Sequence, residues 1–393
     1  MRLTAKKLFK FGMPQFALVG LLGWYVGGWL GLVGWKLWVF RGSLWLLGGL
    51  AVLLVLRLIP DRKRVAAGPS ELADVVGFLQ AAERRLMASG LAGKGGLRSL
   101  PLVWFVGPGR GARTSTIRNA RLELDFLAGD GDEGEPPPPT PNLNLWLRGD
   151  TVFLEVGQGV LKSDQGWSEV LGKTREGPWK GMMKEQPPRS VVVCVGCELL
   201  KGDGRTALAA LAKELRGRLA EAASALDLRL PIYVLFTKAD QVPFFTEYVR
   251  TLSEAEAAVP LGATLPLAEG QDPGLYSQWQ TARLRSAFEG VFRSLAHKRP
   301  DVMTREGDAA ARSAAYEFPR EFAKLSDAAV EFLVELTRPS QLSLSPFLRG
   351  FYFTGVRPVA VAARPELAAA PVMPQAPKGA TMVFDPGALA AQP

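Results

Sequence analysis

The chain has 393 residues, with 47 lysines and arginines against 38 aspartates and glutamates, for a formal net charge of +9. Two cysteines and one histidine exclude a disulfide-stapled scaffold and leave too few ligands for a Cys/His zinc site. The basic excess suits an anionic lipid surface, and no aromatic–basic motif accompanies it to indicate nucleic-acid recognition.

Two apolar runs come first, Phe16–Trp35 and Ser43–Leu56, separated by the short basic segment Lys36–Gly42. The first is about 20 residues long, enough for a helix to cross a bilayer core. The second is shorter, but Leu58 and Ile59 extend it, and Arg57 at a helix end can snorkel to the interface. Trp24, Trp29, Trp35, Trp38 and Trp45 are spread along the pair, several near the interfaces where indoles prefer to sit. Arg2, Lys6, Lys7 and Lys10 precede the spans, Arg57, Arg62, Lys63 and Arg64 follow them, and the turn holds Lys36 and Arg41. The positive-inside rule then predicts a two-pass hairpin with both chain ends in the cytoplasm. A cleaved signal peptide is disfavoured because no small-residue cleavage pattern follows the first run.

Further along, Glu71–Ala88 has helical periodicity, and Leu100–Val106 reads as a buried strand. The glycine-rich turn Gly107–Arg113 follows, and a helix is predicted from near Thr114. Asp130–Pro141 is acidic and proline-rich, an exposed loop. Asn142–Arg148 and Thr151–Val156 predict a hairpin turning at Gly149-Asp150. Ser190–Val195 and Pro231–Thr237 are valine-rich strand runs on either side of an amphipathic helix, Thr206–Ala225. Cys194 and Cys197 form a C-x-x-C at the end of the first of these stretches, read as a structural, reduced pair. The order predicts an α/β fold, a P-loop GTPase-like sheet with a helical extension behind the membrane hairpin.

Residues able to carry chemistry fall on the loops after these strands, where open α/β sheets bind ligands. The first, Gly107-Pro-Gly-Arg-Gly-Ala-Arg-Thr-Ser115, approaches the phosphate-loop pattern G-x-x-x-x-G-K-[ST]. Gly107 and Thr114 keep their spacing, but Ala112 replaces the second glycine and Arg113 the lysine. A Cβ at that glycine restricts positive φ, and a planar guanidinium does not reproduce an ammonium. Glu155-Val-Gly-Gln158 stands where a GTPase has D-x-x-G, which puts metal and terminal-phosphate contacts in doubt. Thr237-Lys-Ala-Asp240 fits [NT]-K-x-D, in which Asp240 accepts from a guanine and the Lys238 stem packs on its face. The candidate nucleotide-binding set is Gly107, Gly111, Arg113, Thr114, Ser115, Thr237, Lys238 and Asp240, with no catalytic or metal-ligating residue assigned. A residual GTP or ATP with Mg²⁺ is the cofactor these residues leave open.

The block Pro231–Asp240, continuing through Phe244 and Phe245 to a helix around Leu252–Ala257, resembles the cytoplasmic domain of the IcmF/TssM family. The resemblance extends to Leu100–Ser115, Thr151–Val160 and Tyr316-Glu-Phe-Pro-Arg320 with Phe322. It ends in Arg338-Pro-Ser340 and Phe347–Thr354, similar to the family's "RPS…LLRGVYFTS" element, and covers about residues 10 to 357. These are inner-membrane components of type VI and related secretion systems. The resemblance implies a scaffold that contacts another inner-membrane secretion subunit and the cytoplasmic baseplate, within a multi-subunit complex in a bacterial inner membrane.

The departures at Ala112, Arg113, Glu155 and Gln158 imply that nucleotide hydrolysis is lost. An active membrane-bound GTPase or ATPase driving assembly is the competing reading, supported by Thr237–Asp240, and a basic lipid- or nucleic-acid-binding module is a third. Family members continue into a third transmembrane helix and a large periplasmic region; here the segment after Val356 is alanine- and proline-rich. The expected organisation is a transmembrane hairpin over 1–65, a degenerate GTPase-like domain over 66–250 and a helical extension over 251–357. A disordered tail over 358–393 completes it, with Ala380–Phe384 as a possible docking strand.

Overall fold

The computed structural model describes residues 69–131, 137–175, 186–267, 276–339 and 346–358, with a few isolated positions elsewhere. The predicted membrane hairpin and the tail beyond Pro358 lie outside these spans. Among the described residues, no helix is long and apolar enough to cross a membrane. The chain divides into two compact units, and the larger, Ser70–Lys162 with Gly166–Pro393, holds the fold described below.

Its centre is a mixed sheet of eight strands among the described residues. They are β1 (Leu102–Val106), β2 (Asp125–Ala128), β3 (Leu143–Arg148), β4 (Thr151–Val156), β5 (Arg189–Gly196), β6 (Pro231–Thr237), β7 (Leu261–Thr264) and β8 (Phe347–Phe353). The order is β2-β3-β4-β1-β5-β6-β8-β7. From β4 through β1, β5 and β6 to β8 each neighbouring pair is parallel, and antiparallel pairs close both flanks. One face of β5 and β6 is fully buried and much of the other is half-buried, which is why both read as near-continuous apolar runs. The predicted hairpin is present, with Arg148 opposite Thr151 and Gly149 at φ 58° in its two-residue turn.

The helices are α1 (Pro69–Ala88), α2 (Arg113–Arg118), α3 (Gln158–Lys162), α4 (Asp164–Thr174), α5 (Arg205–Leu226), α6 (Phe245–Val249), α7 (Glu254–Ala257), α8 (Tyr276–Arg305), α9 (Ala309–Ala323) and α10 (Ser326–Leu336). Helix α5 buries Leu208, Ala212, Leu215, Leu219, Ala222 and Leu226, the three-four spacing that aims one stripe at a core. Its neighbour is α10, to which Arg216 is tied through Glu335 at 2.7 Å. The helix expected around Leu252–Ala257 is a single turn, started by a capping box between Ser253 and Glu256.

The region expected as a helical extension also supplies β7 and β8 to the same sheet. The reason is apolar. Phe351 and Phe353 on β8 meet Phe288 of α8, and Phe353 also meets Phe322 of α9 at 4.7 Å and Phe236 of β6 at 5.0 Å. Helices α8 and α9 therefore cover a surface that β6 and β8 make together.

Candidate functional site

Strand β1 delivers the loop Gly107–Ala112 to one end of the sheet, and α2 carries the chain away. Gly107 has φ 151°, and a Cβ there would stand 2.2 Å from the Cys194 carbonyl oxygen of β5. Gly111 is held nearly as closely, and its amide donates to the Pro108 carbonyl across a tight turn at 2.9 Å. Ala112 adopts φ 53°, ψ 31° despite its Cβ. The loop thus keeps a left-handed position that favours glycine, at a cost of about 1–2 kcal/mol for an L-residue.

Arg113 is buried, and its guanidinium folds back into the loop. One Nη1 donates to the Gly107 carbonyl and, at 2.7 Å, to the Pro108 carbonyl. Its Nε lies 4.0 Å from the Glu155 carboxylate at the end of β4. Thr114 Oγ1 donates to Glu155 Oε1 at 2.5 Å, and Asn144 Nδ2 of β3 donates to Oε2 at 3.1 Å. Burial pushes the Glu155 carboxyl above its usual range, against the opposing hydrogen bonds from Thr114 and Asn144 and the charge of Arg113. Gln158 Oε1, at the start of α3, accepts from the Gly109 amide at 3.2 Å.

The second loop follows β6. Thr237 is buried, and its hydroxyl donates to the Gly111 carbonyl at 3.1 Å, joining the two loops. Lys238 stands in the left-handed region with φ 57°, and its ammonium pairs with Glu198 at 2.7 Å. Asp240 Oδ1 accepts the Val356 amide at 2.9 Å, while the Ala239 amide donates to the Thr354 carbonyl at the same distance. The chain leaving β8 is thereby seated on this loop.

Of the residues singled out from sequence, Gly107, Gly111, Arg113, Thr114 and Thr237 meet in one connected set. Lys238 and Asp240 lie on the joined loop but turn to Glu198 and Val356. Ser115 is exposed on the outer side of α2 and takes no part. Sequence reading missed Asn144, Glu198 and the segment Thr354–Val356. Asn144 did leave a signal, a lone amide between apolar residues in Leu-Asn-Leu-Trp-Leu, where a buried side chain needs polar partners.

Cys194 and Cys197 are fully buried free thiols beneath these loops. Burial pushes both up to about 12. A thiol raised this way contributes stability that is whole below the unfolded value near 9.0 and is lost as pH rises through about 12. Native protein at pH 8 is expected to resist a disulfide reagent and to react at both thiols once urea unfolds it. Rapid modification of the native protein would contradict this burial.

Comparison with known proteins gives two matches. Residues 180–381 match the family model described as the IcmF-related N-terminal domain, about half of the chain. Over 305 residues, 75% of the chain, the sequence is 27% identical to the type VI secretion system component TssM1 of Pseudomonas aeruginosa. That match takes in 27% of the relative, so the chain spans about a quarter of its length.

Proposed function

We propose, from the premise that this chain belongs to the IcmF-related family, that it is a structural subunit of a type VI-like secretion complex. In this reading the N-terminal hairpin anchors it in a bacterial inner membrane, both chain ends face the cytoplasm, and the α/β unit is a protein-contact module. Its partners would be another inner-membrane secretion subunit and the cytoplasmic baseplate. The sheet suits a degenerate P-loop GTPase-like domain, since loops after β1, β4 and β6 gather at one end in the expected order.

The observation that carries the loss of hydrolysis is that the loop's polar groups are already engaged within the chain. Arg113 lies inside the turn that would cradle phosphate, Gln158 takes the Gly109 amide, and the Thr114 hydroxyl is given to Glu155. A nucleoside triphosphate with Mg²⁺ does not fit residues so arranged. Nucleotide binding without turnover has one observation in its favour, the left-handed turn kept at Ala112.

Calorimetry on the full chain in detergent, with GTP or ATP and Mg²⁺, is expected to give no binding heat. Asp240→Ala should leave secretion by the host cell intact. Turnover of either nucleotide, abolished by Thr114→Ala, would overturn the scaffold reading.

A further inference from the structure

Strand β7 closes one side of the sheet, pairing antiparallel with β8 through Leu261–Phe353, Gly262–Tyr352, Ala263–Phe351 and Thr264–Gly350. The Leu265 amide continues this register by donating to the Arg349 carbonyl at 2.7 Å. Hydrogen-bonded positions alternate along an antiparallel pair, so Leu261, Ala263 and Leu265 face β8. Gly262 and Thr264 therefore aim their amides and carbonyls away from the sheet. Neither amide has a hydrogen-bond acceptor among the described residues. An edge of this kind is a template for another strand.

The surroundings of the edge are specific. Val259 before it and Leu267 after it are 69% and 63% exposed, so apolar contacts are on offer at both ends. At its C-terminal end, Arg349 Nη1 donates to the Leu265 carbonyl at 2.9 Å and Arg283 Nη2 donates to the Pro266 carbonyl. No carboxylate among the described residues pairs with either guanidinium. Burial lowers the Arg283 pKa, and the neighbouring Arg349 adds to that effect. Two adjacent guanidinium groups beside an open edge call for an extended segment that carries an acidic residue.

The chain itself holds such a segment. Ala380-Thr-Met-Val-Phe384 is an apolar, β-branched run followed directly by Asp385, bounded by Lys378-Gly379 and Pro386-Gly387. The exit point also fits. Phe353 lies opposite Leu261, so β8 ends beside the N-terminal end of β7, and the chain then crosses the loop after β6 before Pro358. The segment from Pro358 to Ala380 can span at most about 75 Å, against about 13 Å for the length of β7. A run beginning there and parallel to β7 would bring its C-terminal acid to the arginines.

We infer that Ala380–Phe384 docks on the open edge of β7, parallel to it, with Asp385 set against Arg283 and Arg349. Pro260 and Pro266 flank β7, so the pairing is short, made through Gly262 and Thr264, and readily opened. The docking does not depend on the secretion reading above, because it rests on the edge, the arginines and the tail sequence.

Hydrogen exchange on the purified full chain in detergent tests it, read at the Gly262 and Thr264 amides. Both should exchange about tenfold faster in a chain ending at Gln375 and in the full-length Val383→Pro variant. Asp385→Lys should accelerate them less. The amides of β6 should be unchanged throughout, and a peptide of residues 378–387 added to the shortened chain should restore protection. If shortening disturbs β6, the Val383→Pro chain carries the comparison. Equal exchange in full-length, shortened and Val383→Pro chains would overturn the docking. Persistent protection would assign the edge to a second copy or another element, and uniformly fast exchange would leave it bare.

Discussion

Glu155→Ala is expected to destabilise the α/β unit by about 3–5 kcal/mol, because it removes one partner of a buried pair and strands the other. Glu155 and Arg113 are 1% and 5% exposed, so water cannot take over the lost contacts. Thr114 and Asn144 lose their acceptor in the same step. Urea unfolding of the purified protein, followed by tryptophan fluorescence, measures the change. The control replaces both charges, Arg113→Met with Glu155→Leu, and should recover only the part of the loss due to the stranded charge, since Thr114 and Asn144 still lack their acceptor. A loss below about 1 kcal/mol for Glu155→Ala would show that the network does not hold these loops together.

Phe322→Ala should produce a loss of similar size, about 3–5 kcal/mol, through a different cause. Its ring stacks on Phe288 at 5.0 Å, meets Phe353 edge-on at 4.7 Å, and lies 6.1 Å from Phe318. It is 1% exposed at the point where α8, α9 and β8 converge, and rigid rings on three sides leave little room to collapse. Phe322→Leu should recover a large part of the stability. Little change in the urea midpoint for the alanine variant would mean that α9 packs on the sheet without this contact.

What the sequence revealed depends on where each element's partners lie. Pro231–Thr237 was legible to the residue because a central strand with one face buried and the other half-buried stays apolar nearly throughout. Helix α5 was legible because its stripe repeats along one face. Strands β2 and β7 were not, since Asp-Phe-Leu-Ala and Leu-Gly-Ala-Thr are short edge segments whose pairing is decided by distant residues. The segment that forms β8 was marked by family resemblance but expected within the helical extension, so its strand was not read.

The site divides the same way. Chain order placed Gly107, Thr114, Glu155 and Thr237 on the right loops. It did not reveal that Arg113 turns inward, that Gln158 caps the Gly109 amide, or that Asp240 holds Val356. Each is a contact across many residues, made by one rotamer among several, and carries no local pattern. Ser115 illustrates the opposite error, a hydroxyl with the right neighbours that the turn of α2 sends outward.

The parallel pairing of β6 with β8 also bears on biosynthesis. When the ribosome has completed Thr237, the strand that pairs with β6 on that side does not begin until Phe347. Through that interval, on the order of ten seconds at ordinary elongation rates, β6 presents an unpaired edge and the Phe236 ring lacks its cover. A nascent chain in this state is sticky along Pro231–Thr237, and delay in translating the α8–α10 segment would lengthen the exposure. Synthesis rate, and not final stability alone, would then set how much of this protein accumulates in folded form.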